Sequence, residues 1–258
     1  MIDHICSVNE LCMPEKTLYP HVSVDCVVLG FDGLNFNVLL LKRTGMEGET
    51  WYNDMKLPGS LIYSNEDLDE AAQRVVSELF GSNALFLRQF KSFGSLDRTS
   101  NPRDVHWLEK ASQLKIGRIV TVGYLALIRI DDKLRFKSST MQATWTPVKE
   151  VGKLAFDHNV ILQEAMQEVR RYATMDPSLV FNLLPRRFTA SQMRMLFEQL
   201  FGQSMDVRNF HKRVNRMEYI VSLDEFEQNV AHRAARYYRF DRKIYLKSHS
   251  GFNLNKNH

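Results

Sequence analysis

The chain has 258 residues, 44% apolar and 25% charged, and carries a formal net charge of +4. That is enough for one large globular domain or two smaller ones. No apolar run approaches the roughly 18 residues of a membrane span, and the opening MIDHICSVNE has acids and no basic n-region, unlike a signal peptide. Cys6, Cys12 and Cys26 are odd in number and lack metal-site spacing, so they read as reduced thiols of a cytoplasmic protein. The charge is uneven. From Pro185 onward the chain is net +7, and the remainder is net −3. A basic terminal third on a mildly acidic body points to a polyanion-binding module joined to a domain of another kind.

In chain order, VSVDCVVLGF (Val22 to Phe31) and FNVLLLKR (Phe36 to Arg43) read as strands joined by the turn DGLN, a hairpin. Asp67 and Glu70 open a helix that Gly81 closes. FLRQFKSFG and RIVTVGYLALIRI are further strands, and RTSNPRDVHW (Arg98 to Trp107) reads as a turn-rich loop over a pocket. ATWTPVKEV ends the sheet region. From Asn159 the pattern is helical. NVILQEAMQEVRRYA has apolar residues at Ile161, Ala165 and Val169. DPSLVFNLLP follows, with Asp176 as cap and Pro177 at the first helical position. TASQMRMLFEQLFG has a Thr189/Gln192 capping box and ends on Gly202, and Asp206 caps DVRNFHKRVNRM. IVSLDEF and ARYYRFDRKIYLK read as a β-ribbon.

Two helices, a tight turn between them and a following ribbon form a winged helix-turn-helix pattern. On the second helix Phe210, Val214 and Met217 share the packing face, against Met195, Leu196 and Leu200. Arg208, Lys212 and Arg216 form a basic stripe bordered by Asn209, His211, Arg213 and Asn215. Such a helix fits the major groove, where Arg and Asn pair with base edges. Arg233 and Arg236 on the wing suit phosphates or a narrow minor groove. A solvated basic face is the plain alternative, and the ribbon favours double-stranded DNA over it.

LPGSLIYSNEDLDEAAQRVVSELFG (Leu57 to Gly81) resembles a Nudix box. Gly59 begins it. Glu66 follows after six residues rather than five, and seven more lead to Arg74. Arg74, Glu78 and Gly81 fit, but Val75 and Leu79 stand where metal-binding glutamates are expected. Val and Leu have no ligand oxygen, and with Leu68 and Ala72 they make an apolar stripe. The expectation is a sensor domain without catalysis, metal or cofactor. An active pyrophosphatase with a DNA-binding appendage and a pure interaction module are the alternatives.

The order of parts resembles the Nudix-related transcriptional regulator (NrtR) family over nearly the whole chain. LPRRFTASQMRMLFEQLFG, DVRNFHKRV and HRAARYYRF carry the resemblance. His232 and Ala234 stand where the family wing has Gly and Pro. The resemblance implies an α+β fold, a Nudix-like α/β/α sandwich followed by a winged helix-turn-helix domain. The expected divisions are 1–158 for sensing, 159–184 for linker helices and 185–258 for DNA binding. It also implies a homodimer on a palindromic operator, released by a pentose such as L-arabinose or by an ADP-ribose-like metabolite. The effector contacts it implies are Arg43, Trp51, Lys56, Gly59, Glu66, Asp97, Arg98, Arg103 and Asp104.

Overall fold

A computed structural model describes residues 17–80, 86–130, 134, 136, 142–228, 230, 231 and 233–249. Cys6, Cys12, Gly81 and His232, which entered the sequence reading, lie outside these residues. A seven-stranded mixed sheet holds β1 (Leu18–Phe31), β2 (Phe36–Glu47), β3 (Thr50–Lys56), β4 (Gly59–Tyr63), β5 (Phe86–Phe93), β6 (Val120–Arg129) and β7 (Ala143–Pro147). Its spine runs β3-β2-β1-β6-β5, with β4 paired to β1 and β7 to β2. Only the long β1/β6 pair among these is parallel, from Val22↔Val120 to Phe31↔Arg129.

Strand alternation sends successive side chains to opposite faces. Val24, Cys26 and Val28 of β1, with Val122, Tyr124 and Ala126 of β6, meet one face of helix α1 (Leu68–Phe80). Val27, Leu29 and Phe31, with Leu125 and Leu127, face the opposite layer, which contains helix α3 (His158–Met175). The result is the expected α/β/α sandwich. α1 starts on a reciprocal box. The Glu70 amide donates to Asp67 Oδ1 at 2.8 Å and the Asp67 amide to Glu70 Oε2 at 2.9 Å. Val75 and Leu79 are 6% and 3% exposed and belong to this inner layer.

The segment read as a loop over the pocket is mostly helical. A 3-10 turn at Leu96–Thr99 leads into α2 (Pro102–Ser112), with Pro102 opening the helix. The Asn101 side chain accepts the Arg103 amide at 3.1 Å, so these turn-forming residues serve as a cap. The region expected as linker helices contains α3 and the single turn α4 (Ser178–Phe181). α3 is built into the core, with Ile161, Ala165 and Val169 fully buried.

The C-terminal unit has β8 (Phe188–Thr189), α5 (Ala190–Phe201), α6 (Val207–Val214), β9 (Ile220–Phe226), β10 (Arg236–Phe240) and α7 (Arg242–His249). Its strands pair in the order β8-β10-β9. The Thr189/Gln192 box is present at the start of α5, and Gly202 ends it in the left-handed region at φ 68°. α6 stops at Val214, one turn earlier than its sequence pattern reaches, so Asn215 and Arg216 lie in the turn that follows. The ribbon also ends early. Asp241 Oδ1 accepts the amides of Lys243 and Ile244 at 3.0 and 3.1 Å and turns RKIYLKSH into a helix. The aromatic residues that suggest a longer strand therefore belong partly to α7, where Tyr245 is buried.

Replacing Leu79 by Glu would put a carboxylate into the dry layer under α1. We expect a loss of about 3 kcal/mol or more in urea unfolding, with no stabilisation on adding Mg²⁺.

Candidate functional site

Between the sheet and the start of α3 lies a narrow cleft with a cavity volume of about 50 Å³. β1 supplies Ser23 and Asp25, β3 and β4 supply Lys56, Gly59 and Ser60, the 3-10 turn supplies Arg98, and α2 supplies Trp107. Phe156 and His158 close it from the α3 side.

The charges in this cleft are buried and mutually bound. Arg98 Nη2 is 3.3 Å from Asp25 Oδ2, and its Nη1 is 3.3 Å from Asp157 Oδ2. His158 Nδ1 accepts the Leu57 amide at 2.9 Å, which leaves the proton of the neutral ring on Nε2, 3.5 Å from Asp25 Oδ1. Burial opposes the charge on Asp25, yet His158, Arg98 and Lys56 outweigh it and hold the carboxyl below its usual range. Burial pushes the Lys56 ammonium down, against the pull of Asp25, and its Nζ donates to the Leu57 carbonyl at 3.1 Å. Burial also depresses His158, to about 4. Gly59 pairs with Asp25 across β1/β4, and a Cβ there would stand 2.2 Å from Asp25 Oδ1 and 2.7 Å from the Val24 carbonyl. Only glycine lets the carboxylate occupy this position.

Behind the cleft Arg43 is enclosed. Its Nε and Nη2 bond Asp54 at 2.7 and 2.6 Å, and Nη2 lies 2.6 Å from Asp104 Oδ1. The rings of Tyr52, Trp107 and Phe156 stand 5.0–5.4 Å from its guanidinium carbon. Arg103 joins the same group, 3.2 Å from Asp54 and stacked on Tyr52.

Of the nine expected effector residues, Lys56, Gly59 and Arg98 line the cleft. Asp97 and Asp104 border an adjoining open concavity that shares Arg98 and Phe156. Arg43 and Arg103 support the wall from behind. Trp51 is 71% exposed on β3, outside both concavities. Glu66 sits at the entrance to α1, its two oxygens bonded to Arg74 at 2.6 and 2.9 Å. Asp25, Trp107, Phe156 and His158 were not among the expected contacts. For Asp25 the available signal was a charge in the middle of the apolar strand VSVDCVVLGF, and for Trp107 its place in the segment read as lying over a pocket.

The Nudix box does not fit a metal ion. Val75 and Leu79 offer no ligand atom, both oxygens of Glu66 are taken by Arg74, and Glu78 is half-exposed with its carboxylate 3.6 Å from Arg74. Among the described residues, no group of three His, Cys, Asp or Glu side chains could hold one.

The second candidate surface is α6. Asp206 caps it by accepting the Asn209 amide at 2.8 Å. Phe210 and Val214 are buried against the core that includes Leu196 and Leu200 of α5. Arg208, Asn209, His211, Lys212 and Arg213 are exposed, as are Asn215 and Arg216 just beyond the helix. On the wing Arg233 is exposed, and Arg236 stacks over Phe226 at 5.1 Å.

Residues 180–240 match the family model of the NrtR DNA-binding winged helix domain. The ADPR responsive transcriptional repressor NtrR of Acinetobacter baylyi is 25% identical over 236 residues, spanning 89% of this chain and 86% of that protein. The family match lies within the C-terminal part of the chain. Its fold is similar to that of Shewanella oneidensis NrtR, with TM-score 0.61, 22% identity, and coverage of 85% of this chain and 94% of that one. A structure of the Shewanella protein complexed with a 27mer DNA gives TM-score 0.59 at 21% identity, over 85% and 93% of the two chains. A MutT/nudix family protein from Enterococcus faecalis gives 0.57 at 24%, over 86% and 88%. The C-terminal unit is thus an NrtR-type DNA-binding winged helix, carried by a Nudix-like sandwich.

Two measurements check the electrostatics. Arg43→Met leaves Asp104 buried without its partner, and unfolding should show a loss of about 3–5 kcal/mol. His158 titrates lower in the folded than in the unfolded chain, so the unfolded state binds the proton first. Stability should fall by about 3 kcal/mol as pH drops from 6.5 to 4, and His158→Gln should flatten that slope.

Proposed function

We propose that this protein is a ligand-released transcriptional repressor of the NrtR type, whose Nudix-like domain senses a small molecule without cleaving it. In this reading the sensing domain spans 1–158, the helices of 159–184 join it to the DNA-binding module, and that module spans 185–258. The observation that carries the reading is the placement of polar groups. The helix that would hold a catalytic metal buries Val75 and Leu79, while the polar cleft lies on the opposite face of the sheet.

The chemistry of the cleft lining favours a neutral polyhydroxylated ligand, such as L-arabinose. Asp25 in the cleft and Asp157 beside it are balanced by Arg98 and Lys56, and Trp107 and Phe156 offer apolar walls to a sugar ring. A diphosphate would add two negative charges to cations already committed to carboxylates. An ADP-ribose-like effector is the second reading, and the name of the Acinetobacter relative favours it. Of the nine expected contacts, this proposal keeps Lys56, Gly59 and Arg98, which line the cleft, and adds Asp25, Trp107 and His158. Hydrolysis of ADP-ribose is the third reading, and the missing metal donors speak against it.

The DNA arm consists of Arg208, Asn209, His211, Lys212, Arg213, Asn215 and Arg216, with Arg233 and Arg236 on the wing. A homodimer would set two such helices into successive major grooves of a palindromic operator, about 34 Å apart.

Titration calorimetry with L-arabinose and ADP-ribose tests the sensor. One should bind the wild type, and Asp25→Asn should weaken that binding at least tenfold. Heats absent with both would remove both ligands. Arg208→Ala and Lys212→Ala should each weaken duplex binding, by about 1–3 kcal/mol where a base contact is lost, and leave ligand binding unchanged. Normal duplex binding by both variants would place the DNA contacts elsewhere.

A further inference from the structure

Two elements leave the polar cleft and end on the DNA-binding module. β1 carries Asp25 in the cleft wall and continues through the core to Phe31. The turn that follows is stiff. Asp32 Oδ1 accepts the amides of Leu34 and Asn35 at 2.8 and 2.6 Å, and Oδ2 accepts from Asn37 Nδ2 at 3.0 Å. This turn is clamped to α5. Gln199 Oε1 accepts the Phe36 amide at 2.7 Å, and its Nε2 donates to the Leu34 carbonyl. Gly33 closes on the same helix, where a Cβ would stand 3.4 Å from Gln192 Nε2.

α3 is the second element. It presents His158 to the cleft from its first turn. Arg170, about 18 Å further along at 1.5 Å per residue, donates from Nε to the Leu200 carbonyl of α5 at 2.7 Å. At the cleft the two elements are fastened together. His158 faces Asp25 at 3.5 Å, and Arg98 bridges Asp25 to Asp157, which immediately precedes α3. At their far ends both hold α5, which shares its apolar core with Phe210 and Val214 of α6.

We propose that β1 and α3 are two arms of one lever, tied at Asp25 and His158 and read out through Gln199 and Arg170 on α5. This rests on the sensor reading above. A ligand hydroxyl that bonds Asp25 or His158 replaces the tie between the arms. The arms then shift relative to each other, and α5 follows because each arm grips it at a different point. α6 moves with α5, and a small shift mismatches the two recognition helices to successive grooves. Thermodynamic linkage makes the effect reciprocal, so bound DNA favours the tied arrangement and weakens ligand binding.

The test is a double-mutant cycle on DNA affinity, with no ligand present. Full-length variants bind a labelled duplex that the wild-type protein selects from a random-sequence pool. Asp25→Asn keeps the side-chain volume and weakens the tie, and should weaken duplex binding at least fivefold. In a Gln199→Ala/Arg170→Met background the same substitution should change affinity less than twofold. Residues this far apart are otherwise additive. Equal weakening in both backgrounds overturns the lever, and so does a folded Asp25→Asn protein of wild-type affinity. His158→Gln replaces Asp25→Asn in the cycle if the latter does not fold. The sensor reading fails on a different readout, calorimetry of L-arabinose and ADP-ribose with the wild type.

Discussion

Arg43 is 1% exposed, and its charge is tolerable only because Asp54 and Asp104 bind it and three aromatic rings enclose it. An unpaired guanidinium at this depth would cost several kcal/mol. The ion cluster therefore fixes β2, β3 and α2 relative to one another. Trp107 is held by the cluster on one side and faces the cleft on the other. Asp104 also accepts the Phe156 amide at 3.1 Å, which sets the approach to α3 and thus the position of His158. The geometry of the cleft is a consequence of where this buried charge is neutralised.

The sheet separates two environments that are often combined in a metal-dependent hydrolase. On the α1 side Val75 and Leu79 join a dry apolar layer, and the surviving box residues Glu66, Arg74 and Glu78 hold the loop to its helix. On the α3 side a chain of alternating charges runs through Asp25, Arg98 and Asp157. Because the second face also packs against α5, the layer behind the cleft and the C-terminal unit share one apolar core. No flexible hinge is needed to connect them. Hydrogen bonds at Gln199 and Arg170 add to that shared core.

Local rules made much of the fold legible in the sequence. The β1/β2 hairpin, the Asp67/Glu70 box, the Thr189/Gln192 box, Gly202 and the Asp206 cap are each written within a few consecutive residues. The same locality misled in two places. Asn101 and Pro102 look like loop residues but cap α2, and the aromatic run after Asp241 looks like a strand until Asp241 caps α7. The cleft was less legible because its parts are far apart in the chain. Asp25 and His158 meet only when β1 packs under α3. Arg43 and Glu66 were expected near the ligand from the family resemblance, and the ion pairs that hold them, to Asp54 and Asp104 and to Arg74, are not written in the sequence.

A repressor that reports its ligand must bind it, release DNA and leave it intact. Fluorescence anisotropy of a labelled operator duplex, titrated with L-arabinose or ADP-ribose at fixed salt with Mg²⁺ present, measures release, and chromatography of the same samples measures cleavage. The account predicts that one of the two ligands raises the duplex Kd at least tenfold and is recovered unchanged. An unaltered Kd with both ligands, or ADP-ribose split into AMP and ribose phosphate, would contradict it.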